Sequence, residues 1–135
     1  MEILGIGTDI VECPRVGGMI ERHGELFLGR VFTEREIRSC QGKRHIIEHF
    51  AALWAGKQAV FKALGQRPEQ GFAWTDLEIR AASGGGVRVL VGGRAKEVVR
   101  RKDVRDVLVT IAHCRTYATA YAMVVGRPKH SAADA

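Results

Sequence analysis

The stretch Trp54–Gly65, WAGKQAVFKALG, decides how this chain folds. Its composition favours a helix, and the glycine at its end followed by Pro68 is an ordinary helix stop. Extended back to about Arg44, it becomes the longest helix of the chain. At about 100° per residue, Phe50, Leu53, Trp54, Val60, Phe61 and Leu64 share one broad stripe, while Ala52, Gly56, Ala59 and Ala63 make a flat face of small residues. A helix with two such faces is enclosed on most sides. Into this apolar setting the sequence places three polar groups. Lys57 lies inside the stripe, where it either snorkels to an edge or reaches a phosphate; the second is expected. Gln58 and Lys62, four apart, share a face just beside the stripe, so a metal-ligand oxygen and a phosphate-binding ammonium could act together.

Outward from this helix, the start MEILGIGTDI alternates Ile3, Gly5 or Ile6, and Ile10 with smaller or polar residues. It reads as a strand whose glycines allow close backbone approach, with Asp9 near its end. Pro14 suits the first turn of a helix that stops near Gly24 and shows Arg15 and Arg22 on its exposed face. Thr33–Glu36, TERE, has the spacing of a capping box and opens another helix. Trp74–Ala81, WTDLEIRA, places Leu77, Ile79 and Ala81 inward, and SGGG turns it into VRVLV as a hairpin. RAKEVVRR reads as a short basic helix, and DVLVTIAHCRTYATAYAMVV as two strands joined around Arg115 and Thr116. The order is strand, three helices, two strands, helix, two strands. That predicts an α+β domain, a mixed or antiparallel sheet packed against a long central helix, over residues 1–126, with 127–135 a disordered tail.

Composition narrows the function. In 135 residues, 46% hydrophobic, there is enough to build the core of one domain. No apolar run reaches the length needed to span a bilayer, and Glu2 and Asp9 stand where a signal peptide would carry positive and apolar residues, so a cytoplasmic protein without membrane contact is expected. Three cysteines without a C-x-x-C pair, Cys13, Cys40 and Cys114, indicate neither a disulfide framework nor a structural zinc site and read as reduced small hydrophobes. The net charge of +6, from 21 basic and 15 acidic residues, favours an anionic partner. Two Trp, two Tyr and five Phe form no cluster interleaved with basic residues, so nucleic acid is the weaker choice.

Two constellations could carry chemistry. HIIEH, His45–His49, matches H-x-x-E-H on a helix, but a catalytic zinc needs a third protein ligand that the sequence does not offer, and solvated helix residues are the better reading. Asp9 is a carboxylate at a strand end, and Mg²⁺ is usually held by one or two carboxylates together with substrate phosphates. Taken singly, Asp9 is as well explained as a turn or cap residue and Lys62 as a snorkelling one.

The conjunction changes that balance. GIGTDIVECPRV, then FT-x-x-E at Phe32–Glu36, then WAGKQAVFKALG, then VTIAH in this order resemble the holo-acyl-carrier-protein synthases, small bacterial 4′-phosphopantetheinyl transferases, from Gly5 to about Val125. The resemblance implies that fold, and transfer of the phosphopantetheine arm of coenzyme A to a serine of an apo acyl carrier protein, releasing adenosine 3′,5′-bisphosphate. It implies Asp9 and the residue at position 58 as Mg²⁺ ligands, Lys62 on phosphate oxygens or assisting removal of the serine proton, and His113 on the nucleotide phosphate. Arg15, Met19 and Arg22 match the surface that meets the acidic carrier. Members are commonly trimers with active sites between subunits.

The chain departs from the family pattern near the implied cofactor site. Gln58 stands where the family has glutamate, so the metal site loses one unit of negative charge; Leu53 replaces a frequent arginine, Gly65–Arg67 replaces Gly-Thr-Gly, and Ala112 replaces a serine or threonine. Two readings follow: a working transferase, or an impaired relative that binds coenzyme A or carrier protein as a regulatory module.

Overall fold

The computed structural model describes residues 1–128; the expected tail falls largely outside the described residues. Strand β1 (Glu2–Glu12) leads into helix α1 (Cys13–His23), followed by α2 (Glu25–Val31), α3 (Glu34–Gln41) and the long α4 (Ile46–Leu64). A single 3-10 turn (Trp74–Asp76) opens the hairpin β2 (Leu77–Ala81) and β3 (Val87–Val91). Helix α5 (Gly93–Arg101), β4 (Val104–His113) and β5 (Tyr117–Gly126) complete the chain.

The three-stranded sheet has the order β1-β5-β4, β2 and β3 form a separate ribbon, and every pairing is antiparallel. The fold is therefore the expected α+β class, with antiparallel rather than mixed pairing. Small residues let the sheet lie directly on α4. Along β5 Ala118, Ala120, Ala122 and Val124 are buried, and they face Ala55, Ala59 and Ala63 in the same core. On β1 a Cβ at Gly5 would run into the Ala63 carbonyl, and one at Gly7 into the Ala59 carbonyl and the Lys62 stem. These two glycines set the distance between β1 and α4, and with it the spacing of the side chains discussed below.

Helix α4 ends as its sequence indicates, with Gly65 at φ 72° in the left-handed region and its N–H donated back to the Lys62 carbonyl. At α3 the capping box forms: the Glu36 N–H donates to the Thr33 hydroxyl at 3.2 Å and the Thr33 N–H to the Glu36 carboxylate at 2.8 Å.

Four features differ from the sequence reading. Helix α1 stops at Gly24 as expected, but a further helix, α2, follows it, two turns whose short pattern is interrupted by Gly29. Trp74–Asp76 is a 3-10 turn rather than strand, and Ala81 is exposed. Cys13 and Cys40 are buried, but Cys114 is exposed at the β4–β5 turn. The isoleucines of β1 are not core residues: Ile3, Ile6 and Ile10 are about 60% exposed, because the inward face of the strand belongs to the glycines, Asp9 and Val11.

Candidate active site

The seam between β1 and α4 brings Asp9, Lys62 and Gln58 onto one edge of the molecule. Lys62 Nζ donates to Asp9 Oδ1 at 3.0 Å and to the Thr8 carbonyl at 3.0 Å. The ion pair is asymmetric, with the lysine more than half exposed and the aspartate nearly covered. Asp9 Oδ2 is buried and has no partner. A buried carboxylate oxygen left unpaired is costly, so this atom marks a place where a cation or donor is missing from the protein's own inventory.

One turn before Lys62, Gln58 lines a cavity of about 260 Å³ with Ile10, Val11, Glu12, Arg15, Trp54 and Tyr117. The neutral amide supplies a carbonyl oxygen, a hard ligand without charge. The two groups that face the end of β1 from α4 are therefore one ammonium and one amide. Asp9 Oδ2 and the Gln58 amide oxygen are oxygen donors of the kind Mg²⁺ takes, and the orphaned oxygen fits such an ion.

Lys57 is elsewhere, and the phosphate role expected for it is not supported. It is fully buried, with Nζ 2.7 Å from Glu36 Oε1, 2.8 Å from the Val31 carbonyl and 3.2 Å from the Trp74 carbonyl. Burial pushes its pKa down, and the Glu36 carboxylate pulls it back. The other carboxylate oxygen, Glu36 Oε2, accepts from the Ile79 N–H at 2.8 Å. The hydrophobic stripe was read correctly, but its lysine points inward to a buried acid contributed by FT-x-x-E. The glutamate of the capping box thus has a second role that spacing alone did not reveal.

His113 lies at the far end of α4. Its ring meets His49 edge to face with centroids 4.9 Å apart. His49 and Lys62 are thirteen residues apart on one helix, about 20 Å. His113 thus sits by the end of α4 away from Lys62, while the pairing of β1, β5 and β4 places it two strands across from Val11. Both histidines line a cavity of about 270 Å³ between α4, β2 and β4, together with Lys43, Leu53, Arg80 and Ile111. Sequence reading treated His49 only as half of HIIEH; the signal that finds it is its helical spacing to Gly56, seven residues on, whose neighbours are Ile79, Ile111 and Val109. Among the described residues no group of three or more His, Cys, Asp or Glu is placed to hold a metal, and His45 instead pairs with Glu48 at 3.3 Å.

Arg15 and Arg22 are exposed on α1, and Met19 borders a groove of about 540 Å³ with Leu26, Phe27, Trp54 and Trp74. Trp54 lines both this groove and the Gln58 cavity, and its Nε1 is buried without a partner.

The family model of the 4′-phosphopantetheinyl transferase superfamily matches residues 5–122. The chain belongs to this superfamily. It is 40% identical over 124 residues to the holo-[acyl-carrier-protein] synthase of Rhodopirellula baltica, covering 92% of this chain and 98% of that protein. With the synthase of Koribacter versatilis the identity is 41%, over 87% of this chain and 94% of the relative. Among solved structures, the holo-[acyl-carrier-protein] synthase of Neisseria meningitidis superimposes with a TM-score of 0.84 at 22% identity, over 91% of this chain and 98% of that one, a likeness of fold. The Helicobacter pylori synthase in complex with coenzyme A gives 0.78 at 25% identity, over 89% and 99%. The superfamily match spans both the Asp9–Lys62 seam and the His113 cavity.

Proposed function

We propose that this protein transfers the 4′-phosphopantetheine arm of coenzyme A to a serine of an apo acyl carrier protein, releasing adenosine 3′,5′-bisphosphate, in the cytoplasm and with Mg²⁺. The observation that carries the reading is the Asp9–Lys62 pair with its orphaned oxygen, standing on two of the stretches that carry the resemblance, GIGTDIVECPRV and WAGKQAVFKALG. In the transfer, the serine oxygen bonds to the phosphorus next to the pantetheine arm while the pyrophosphate bridge bond breaks. Such a reaction needs positioned charge more than covalent help from the protein.

Lys62 suits that need. Two of its N–H groups are fixed by Asp9 and the Thr8 carbonyl, which aims the ammonium and leaves a donor for a phosphoryl oxygen. Asp9 and Gln58 would hold Mg²⁺, which when bound neutralises charge on the pyrophosphate oxygens. Position 58 brings no charge, so the metal is held more weakly than by two carboxylates. Arg15 and Arg22 on α1 steer an acidic carrier, and Met19 with the adjoining groove offers it an apolar contact. His113 stacks on His49, which stands about 20 Å along α4 from Lys62, and the reading combines the Asp9–Lys62 seam of one subunit with the His113 cavity of another in a homotrimer.

The test is the intact mass of a panel of apo acyl carrier proteins after incubation with the protein, coenzyme A and Mg²⁺, beside a chelated control. A metal-dependent gain of one phosphopantetheine arm is expected. Gln58 favours one competing reading, a module that binds coenzyme A or carrier without efficient transfer; coenzyme A binding with no mass gain across the panel would select it.

A further inference from the structure

The transfer chemistry leaves His49 unused, yet this ring is half-buried, stacked edge to face on His113 at 4.9 Å, and turned to the same cavity. Lys43 and Arg80 line that cavity too, and no carboxylate does. Glu48 pairs with His45, and Glu78 pairs with Arg80 itself, so part of the guanidinium's charge is already met while Lys43 and the two imidazoles face the cavity. A cavity walled by two imidazoles, an ammonium and a guanidinium suits an anion, and the His49 imidazole makes its charge depend on pH.

We infer that His49 acts with His113 as a proton-gated clamp for the terminal phosphate monoester of coenzyme A, so that binding of the coenzyme takes up protons. This rests on the coenzyme reading above and adds the residue, the phosphate and the pH control. The monoester is the fitting ligand because it carries close to two negative charges at neutral pH, enough to draw a proton onto an imidazole, whereas each pyrophosphate unit carries one and is met by the Asp9–Lys62 seam.

The groups around His49 support the coupling. Burial, then His113 and Lys43, hold its pKa below the ordinary histidine range, with His45 acting the same way and Glu48 opposing. The ring is therefore neutral at pH 7 in the free protein. A dianion in the cavity reverses that balance by favouring the charged form. Arg80 faces the cavity from β2, its Nε donating to Glu78 at 2.6 Å and its remaining N–H groups free to meet an anion.

The experiment is calorimetric titration of the full-length protein at pH 7 with coenzyme A and with 3′-dephospho-coenzyme A, each in two buffers of different ionisation enthalpy. Net proton uptake is expected for coenzyme A and not for the dephospho form. The Kd for coenzyme A should be about fivefold weaker at pH 8 than at pH 6.5, and that for the dephospho form flat. His49→Gln should remove the uptake and the pH slope while leaving the dephospho form's affinity unchanged; His49→Phe, which keeps the aromatic packing, should do the same. Equal uptake for both ligands, or uptake unchanged in both variants, overturns the clamp. Coenzyme A bound without uptake also overturns it and leaves the coenzyme reading standing, whereas no binding of either ligand removes both.

Discussion

Lys57 and Glu36 are the residues whose loss the fold should feel most. Both are fully buried, and between them they hold two carbonyls and two backbone N–H groups from α2, α3, the 3-10 turn and β2. Lys57→Met leaves the Glu36 carboxylate buried without its counter-ion, a change worth about 3–5 kcal/mol of destabilisation. Denaturant unfolding should show that loss, and the Lys57→Met/Glu36→Gln double variant should recover part of it, because no uncompensated charge then remains. His49 gives a second, pH-dependent signature. Its folded pKa lies below its unfolded value, so as pH falls through about 6.5 the unfolded chain gains a proton that the native state refuses. Stability should therefore fall from pH 7 towards pH 5 by more in the wild type than in His49→Phe; equal slopes would contradict the shift. That Gln58 and Lys62 share a helix face was legible from their spacing; that Asp9 joins them came only through the resemblance, and the structure adds the 3.0 Å contact between Lys62 and Asp9. Lys57 was not legible, since a lysine in an apolar stripe reveals its burial only once a buried acid from another element is in place.

At the scale of elements, α4 and the two strands that meet it explain both what could be foreseen and what could not. The helix, its glycine stop, the capping box of α3 and the β2–β3 and β4–β5 hairpins follow from local periodicity and turn chemistry. The direction of β1 did not, because a strand with glycines on its inner face and isoleucines on its outer one inverts the usual rule of burial. Gly7→Ala tests that inversion. Its methyl group meets the Ala59 carbonyl and the Lys62 stem, so β1 must lift from α4, at about 1–3 kcal/mol of stability and with loss of the Asp9–Lys62 geometry. Thermal unfolding and transfer rate should fall together. Helix α1 makes a different prediction. Arg22→Glu should lower kcat/KM for the carrier protein severalfold at low salt, with less effect at high salt, where the steering it removes is already screened. Coenzyme A affinity should be unchanged, and a parallel loss in coenzyme binding would mean that α1 serves the cofactor rather than the carrier.

For the whole molecule, the outer face of the three-stranded sheet is the feature that a single chain leaves unexplained. Ile6, Ile10, Leu108, Tyr117 and Tyr121 are between 43% and 63% exposed on β1, β4 and β5, a set of large apolar side chains on neighbouring strands. Such a patch is usually an interface. The proposed division of the site between the Asp9–Lys62 seam and the His113 cavity points the same way, since a second copy would complete it. The two facts make a joint prediction. Asp9→Ala and His113→Ala should each be impaired, one in the seam and the other in the cavity. If every site takes its seam from one subunit and its cavity from the next, then unfolding and refolding a one-to-one mixture gives each interface a one-in-four chance of two intact halves, so activity should return to about a quarter of wild type. If seam and cavity instead served the same site within one chain, no mixed assembly would contain an intact site and activity would stay at the level of the impaired variants. Ile6→Glu places a charge in the patch and should yield monomers by sedimentation velocity, with helix content retained. It should also abolish recovery in the mixture, because complementation through shared sites requires the same face that the charge disrupts.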